Sequence, residues 1–459
     1  MSDRVPGSDD VRAPKRSRRA DRRTQDREIA RLAVPAFAAL VSEPLFLLAD
    51  AAIVGHLGTS QLAALGIAGT VVQTAVGLFV FLAYGTTSTV ARNVGAGERK
   101  VALAHGVDGL WLALVIGAVA AAASWLLSPA IVDGFSADPD VRGFAVTYLR
   151  IASFGIPALL LMLAATGVLR GLQDTRTPLA VAVAANLLNI ALNLAFVYGF
   201  GWGIAGSAVG TLVAQGLSAL VLVFLVARTA SRYGARLAPH AGGIRGAFAV
   251  GVPLLVRTLS LRVALLVATY VAAGISTPAI AAHQVAFTVW TFLAFALDAV
   301  AIAGQAITGR LLGAGDAAAV RAATRRMMWW GLVGGVLLGG AIALTRPLVV
   351  PLFTSDVRVQ HLLATVLLVI AVHQPVSGIV FVLDGVLIGA GDGRYLAVAG
   401  LATLAAFTPL ALAVSWFGGG LAALWWAFTG FMVARLVTLV WRERHDDWLV
   451  LGANVSRPR

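Results

Sequence analysis

Apolar residues along this chain fall in long uninterrupted runs rather than in strict alternation or in narrow amphipathic stripes. Twelve of these runs are long enough to cross a hydrocarbon core as helices, which takes about 20 residues. They lie near 32–56, 61–90, 103–127, 142–169, 178–200 and 203–228, then near 246–274, 279–308, 319–345, 359–388, 396–417 and 420–441. Inside a bilayer each backbone N–H and C=O must be bonded internally, so the pattern predicts an all-α integral membrane protein of twelve spans. Charge in the connections tests that count. Connections after even-numbered runs carry fourteen Lys and Arg, whereas those after odd-numbered runs carry only Arg142, Arg346 and Arg358. The bias predicts an even number of spans, with both termini in the cytoplasm and the spans in the cell inner (plasma) membrane.

The twelve runs are two copies of six. Sliding the chain by 218 positions lays Val34-Pro35 on Val252-Pro253 and Gly95-Ala96-Gly97-Glu98 on Gly313-Ala314-Gly315-Asp316. Four charged pairs coincide at the same offset: Arg92/Arg310, Asp138/Asp356, Asp174/Asp392 and Arg176/Arg394. Matches among Gly and Ala are cheap in this composition, but matches among charges are not. An even number of spans per copy sends both halves into the membrane in the same direction. They are therefore expected to be two six-helix lobes related by a pseudo-twofold along the membrane normal, with a cavity between them.

Composition excludes the competing classes. With 59% hydrophobic and 12% charged residues, the chain lacks the charge to cover a soluble surface, and with no Cys it has no thiol chemistry. The net charge of +13 would suit nucleic acid, but ten of the 35 Lys and Arg lie in the first 31 residues among six acids. Residues 1–28 therefore read as a disordered basic cytoplasmic tail that fixes topology, and no nucleic-acid partner is expected. The remaining boundaries are an N-lobe at 29–230, a cytoplasmic linker at 231–244, a C-lobe at 245–442 and a C-terminal tail at 443–459. There is no nucleotide loop, no HExxH, no nucleophile elbow and no clustered His/Asp/Glu set, so neither an enzyme nor a cofactor or metal is expected. Energy for any transport is then expected to come from an ion gradient, with H+ or Na+ as cargo.

Where the repeat breaks, chemistry is expected. The duplicated charges lie in loops and at helix ends, whereas the charges deep in the runs are unique to one half: Glu43, Asp50, Arg257, Arg262, Asp298 and Asp384. Each costs several kcal/mol in lipid unless it is paired, hydrated or neutralised. Asp50 stands out because it has no charged neighbour in sequence within six residues, the setting a proton carrier needs. Glu43 lies two turns earlier, and Arg262 matches the repeat position of Pro44, so a structural Glu43–Arg262 ion pair is expected, with Asp298 or Asp384 as the other partners open to Arg262. Asn186, Asn189 and Asn193 share one helix face and point to the cavity or to helix 1. Pro35 and Pro44 interrupt helix 1, and Pro35 is a hinge candidate. Trp425 and Trp426 read as interface anchors.

These residues resemble the multidrug and toxic compound extrusion (MATE) transporters, in particular their DinF-like branch, over Ile29 to about Arg444. The resemblance rests on Asp50-Ala-Ala-Ile-Val-Gly-His-Leu-Gly58, Leu62-Ala-Ala-Leu-Gly66, Asn93-Val-Gly-Ala-Gly97, Gly167-Val-Leu-Arg-Gly171, Ala281-Ala-His-Gln-Val285 and Gly389-Ala-Gly-Asp392. It implies a cation-coupled antiporter that exports small organic compounds, with cationic and aromatic molecules as the expected substrates and lipids as the surroundings. Asp50 matches the family's helix 1 acid, Pro35 its helix 1 proline, and Asn189 to Asn193 its helix 5 pattern. Asp384 matches an acid that NorM-like members use in the C-lobe. This chain departs from the pattern at Asn193, where several members carry Asp, which leaves Asp50 as the lone acid of a cation site in the N-lobe. One carboxylate with amides makes a poor cage for a hard cation, so coupling to protons is favoured over sodium. A lipid-linked precursor flippase of the same superfamily and a membrane-embedded enzyme are the competing readings.

Overall fold

The structure is a computed structural model that describes residues 15–135 and 138–453. The Leu-, Ala- and Val-rich runs form helices throughout, and each closes its backbone hydrogen bonds within itself. In the first half these are α1 (Lys15–Gly55), α2 (Thr59–Leu78), α3 (Phe81–Gly95), α4 (Arg99–Asp133), α5 (Pro139–Ser153), α6 (Ile156–Gly171), α7 (Arg176–Leu194) and α8 (Gly203–Arg232). In the second they are α9 (Ala241–Ile275), α10 (Thr277–Gly313), α11 (Ala317–Phe353), α12 (Val357–Gly389), α13 (Gly393–Trp416) and α14 (Leu421–Arg444). Two predicted spans are broken. α2 and α3 together make the span Thr59–Gly95, and α5 and α6 make one span bent by 46°. With those pairs joined, the described residues hold the twelve expected spans.

The repeat is visible as repeated contacts. Gly167 sits on the backbone of Ala83, and Gly385 sits on Ala301, the same relation displaced by 218 residues. Gly171 against the Thr87 carbonyl and Gly389 against the Gln305 carbonyl repeat it one turn later. Between α11 and α12, Gly331, Gly335 and Gly339 recur every fourth residue and lie against the backbones of Gly378, Gln374 and Ala371. Hydrophobicity gives helices in lipid no reason to associate, so this backbone-to-backbone approach through small residues supplies the cohesion.

The two lobes meet on the face at which α3, α10, α12 and α14 end, here called the terminal face. Residues 301–309 of α10 are buried without interruption there, with Gly309 against Ser88 and Ala91 of α3. Towards the opposite face Glu43 and Arg262 stay exposed.

Two boundaries and one side chain differ from the sequence expectation. The segment 15–28, expected to be disordered, is the start of α1. Asp26 forks onto Arg326 with two bonds of 2.6 Å and accepts from Trp330 Nε1 at 2.8 Å, while Glu28 pairs with Arg310. Partners some 300 residues away order a segment whose local composition reads as a solvated tail. Residues 1–14 of the expected tail, and its C-terminal counterpart beyond residue 453, lie outside the described residues. The inter-lobe connection is shorter than 231–244, since α8 ends at Arg232 and α9 starts at Ala241 behind a cap in which His240 Nδ1 accepts from Gly243 N at 3.0 Å. Finally, Trp425 is no interface anchor. It is 3% exposed and packs among His283, His373 and Phe428.

Candidate functional site

Asp50 lies five residues before the end of α1, in the half of the membrane away from the terminal face, and is 4% exposed. Its Oδ1 accepts from Asn193 Nδ2 at 2.7 Å and from Ser207 Oγ at 2.8 Å. Asn193 Nδ2 also donates to Asn189 Oδ1 at 2.9 Å, and Asn189 Nδ2 donates to Thr211 Oγ1 at 2.9 Å. The i, i+4 spacing of the two amides on α7 puts one above the other, so a single ladder runs from α1 through α7 to α8. The buried Tyr148 of α5 presents its hydroxyl to Asp50, Ser207 and Thr211. Gly210 leaves the room this packing needs, because a Cβ there would strike Asn193 Oδ1. That oxygen is buried and has no hydrogen-bond partner. None of the ion pairs among the described residues involves Asp50. A buried acid without a counter-charge but with oriented donors is a group able to exchange a proton.

The C-lobe acids behave differently. Asp384 of α12 is buried between two arginines: Arg257 of α9 donates to its Oδ2 at 2.6 Å, and Arg435 of α14 donates to the same oxygen. Both guanidinium groups converge on that one oxygen, so the three side chains form a buried ionic cluster. Asp298 of α10 makes no ion pair among the described residues; its charged neighbours are Arg170 of α6, Arg257 and Asp384, with Tyr84 of α3 beside them. These groups gather where the lobes meet, away from the Asp50 ladder.

Of the residues singled out in the sequence, Asp50, Asn189 and Asn193 come together. Asn186 does not join them; it lies one turn away and donates to the Ser42 carbonyl on α1 at 3.1 Å. Pro35 and Pro44 both lie inside α1, which stays helical through them. The Arg31 carbonyl, which loses its helical partner because Pro35 has no N–H, has the Thr175 hydroxyl 3.5 Å away. The expected Glu43–Arg262 pair is absent among the described residues. Glu43 accepts from Gln73 Nε2 at 3.0 Å, and the Arg262 guanidinium lies over Gly77. Gln73 and Gly77 are one turn apart on α2, so this helix takes the two charges separately and keeps them from each other. Nor does Arg262 reach Asp384, which Arg257 and Arg435 already occupy.

Sequence reasoning missed Ser207, Thr211, Tyr148 and Arg435. Ser, Thr and Tyr are common in transmembrane helices, and nothing local marks them. Arg435, between Ala434 and Leu436 in an apolar run, carried the same signal as Arg257 and could have been found.

Comparison with known proteins agrees with the repeat. The MatE family profile matches residues 35–195 and 253–417, two segments that begin 218 residues apart. The chain is 31% identical to Protein DETOXIFICATION 44, chloroplastic, of Arabidopsis thaliana, over 94% of this chain and 85% of that one. It is 29% identical to the DNA damage-inducible protein F of Escherichia coli, over 93% and 94%. Its fold is similar to that of a Vibrio cholerae MATE transporter, VcmN, at a TM-score of 0.85 and 21% identity over 94% and 99%. A MATE structure described as the straight conformation matches at 0.83 and 23% identity over 92% and 96%. A match in each of the two lobes, together with the twelve-span fold, means that this chain belongs to the MatE family of multidrug and toxic compound efflux transporters.

Proposed function

We propose that this protein is a proton-coupled antiporter that exports organic compounds across the cell inner membrane by alternating access, with Asp50 as the coupling acid. One observation carries the reading: Asp50 is buried without a counter-ion at the head of a ladder of amides and hydroxyls. As an ion it accepts from Asn193 and Ser207. Once protonated it must donate, and Asn193 Oδ1, now unpartnered, becomes its acceptor when the amide turns over. That turn presents Asn193 Oδ1 to Asn189, whose own amide turns over in the same sense, and Thr211 then donates where it had accepted. Uptake of one proton therefore reverses the direction of the whole ladder, and the change is felt on α1, α7 and α8 together. Such a rearrangement couples the charge on Asp50 to the packing of the N-lobe.

The C-lobe supports the same choice of site. Asp384 is occupied by two arginines and is closed to a mobile cation, and Asp298 has Arg170 and Arg257 as charged neighbours that disfavour one. In the N-lobe a single carboxylate among neutral groups suits a proton better than sodium. The terminal face is the cytoplasmic one on the charge bias of the connections, so the lobes are joined on the inner side of the membrane.

The test is transport in liposomes of the wild type and Asp50→Asn, under separately imposed pH and sodium gradients, with a panel of fluorescent organic cations. Transport driven by the pH gradient and lost in Asp50→Asn is the expected result. Sodium-driven transport that survives the substitution would move coupling to the C-lobe. No movement of any compound under either gradient would favour a lipid-linked substrate and the flippase reading.

A further inference from the structure

Two pseudo-equivalent arginines, Arg92 at the end of α3 and Arg310 at the end of α10, hold the lobes together on the terminal face. The helix ends cross at the pseudo-twofold axis, where Gly95 lies against the Arg310 carbonyl and Gly313 against the Arg92 carbonyl. Any side chain at either glycine would push the lobes apart, which gives the first glycine of the repeated Gly-Ala-Gly its physical reason; the second, Gly97 or Gly315, has a positive φ. The two guanidinium groups then reach in opposite directions to segments outside the six-helix repeats. Arg310, in the C-lobe, pairs with Glu28 on the first turns of α1. Arg92, in the N-lobe, is 1% exposed and donates to the carbonyls of Val450 at 3.0 Å and Gly452 at 3.2 Å, and to that of Ala390 at the end of α12 at 2.9 Å.

The segment that follows α14 is built to stay there. Gly452 N donates to the Leu312 carbonyl at 2.9 Å, next to the α3–α10 crossing. Trp448 is buried, with its Nε1 on the Glu443 carbonyl at 3.0 Å. Asp446 meets Arg321 at 2.7 Å and Asp447 meets Arg442 at 3.1 Å, while Arg442 also binds Asp392 at 2.7 Å. Residues 446–452 thus follow the C-lobe in sequence, lie on C-lobe helices, and present backbone carbonyls to an arginine of the N-lobe. On the other side Asp26 and Glu28, which lead into the N-lobe, grip Arg326 and Arg310 of the C-lobe.

We propose that Arg92 and Arg310 form a reciprocal two-clasp latch that keeps the terminal face closed, with residues 446–452 as a releasable strap. This rests on the alternating-access reading, because only a transporter that opens its terminal face has to undo it. Parting α3 from α10 takes Arg92 away from three carbonyls and Arg310 away from Glu28 together. Bonds from a charged donor are among the strongest polar contacts a buried seam can hold, so the clasps weigh in the balance between the two access states. They release as units rather than gradually, because both act across the same crossing.

The natural absence of Cys lets a single reporter be read without background. Ser88 is buried in the α3–α10 seam, with its carbonyl against Gly309 and no place in the Asp50 ladder. The rate at which a maleimide labels Ser88→Cys in nanodiscs, where both faces are reachable, reports opening of the terminal face. Three full-length variants (Glu28→Gln, Arg92→Gln and Arg310→Gln) and a chain ending at Leu449 are each compared with the parent, alongside thermal unfolding. The expected result is labelling at least tenfold faster, with an unfolding midpoint close to the parent's. Unchanged labelling in folded Glu28→Gln and in the folded shortened chain overturns the latch. Should Arg92→Gln not fold, the shortened chain reads the same clasp without touching a membrane helix. The assay needs no ion gradient or substrate, so it fails or succeeds independently of proton coupling through Asp50.

Discussion

Asn193 donates to Asp50 across 2.7 Å, joining α7 to α1 inside the N-lobe, and the oxygen of that same amide is buried without a partner. The pairing is asymmetric between the lobes: the repeat position of Asp50 is Ala268, and the C-lobe holds instead an acid clamped by two arginines. One lobe therefore carries a buried acid with no ion pair among the described residues, and the other carries an acid bound by two guanidinium groups.

Replacing Asn193 with Asp puts a second carboxylate beside Asp50 and completes an oxygen-rich set with Asn189 and Thr211. A hard monovalent cation then gains a site, and a ligand bound only by the folded state raises stability in proportion to its occupancy. In thermal unfolding, sodium is expected to raise the midpoint of Asn193→Asp relative to choline and to leave the wild type unmoved. A sodium-dependent rise of equal size in the wild type would contradict the proton assignment.

Asp384→Ala leaves Arg257 and Arg435 buried without the carboxylate they both bind. Breaking a buried pair from one side costs about 3–5 kcal/mol. The protein in detergent should therefore unfold at markedly lower temperature, and Arg257→Met together with Arg435→Met on that background should recover part of the loss. Recovery is the informative arm, since a purely steric role for Asp384 predicts none.

Glu43 and Arg262 are each engaged by α2 rather than by each other. A double-mutant cycle of Glu43→Gln and Arg262→Gln, read by thermal or chemical unfolding, is expected to be additive to within about 0.5 kcal/mol. A larger coupling would show that the two charges meet in a state other than this one.

Gly331→Leu forces a side chain into the backbone of Gly378, where α11 and α12 are in contact. Overpacking of this kind costs roughly 1–3 kcal/mol, and here the obstacle is backbone, which cannot rotate away. Gly334→Leu is the control, since a Cβ there meets nothing, and it should leave the unfolding midpoint close to that of the wild type.

The sequence alone determined the number of spans, their alternation across the membrane, the two-lobe repeat and the outlying acid Asp50. These follow from free energies that are local and large: transfer of an apolar run into lipid, exclusion of Lys and Arg from one side, and the cost of a charge in a helix interior. The face shared by Asn189 and Asn193 was legible too, because helical periodicity is a local property. Tertiary structure decided the rest. It chose Gln73 for Glu43, gave Asp384 both Arg257 and Arg435, added Ser207 to Asp50, and turned a tail that reads as disordered into a helix held by Arg310 and Arg326. Which polar group meets which depends on the rotation of each helix about its axis and on which helix stands between two others. Close packing of small residues far apart in the chain sets those angles, and no window of sequence contains them.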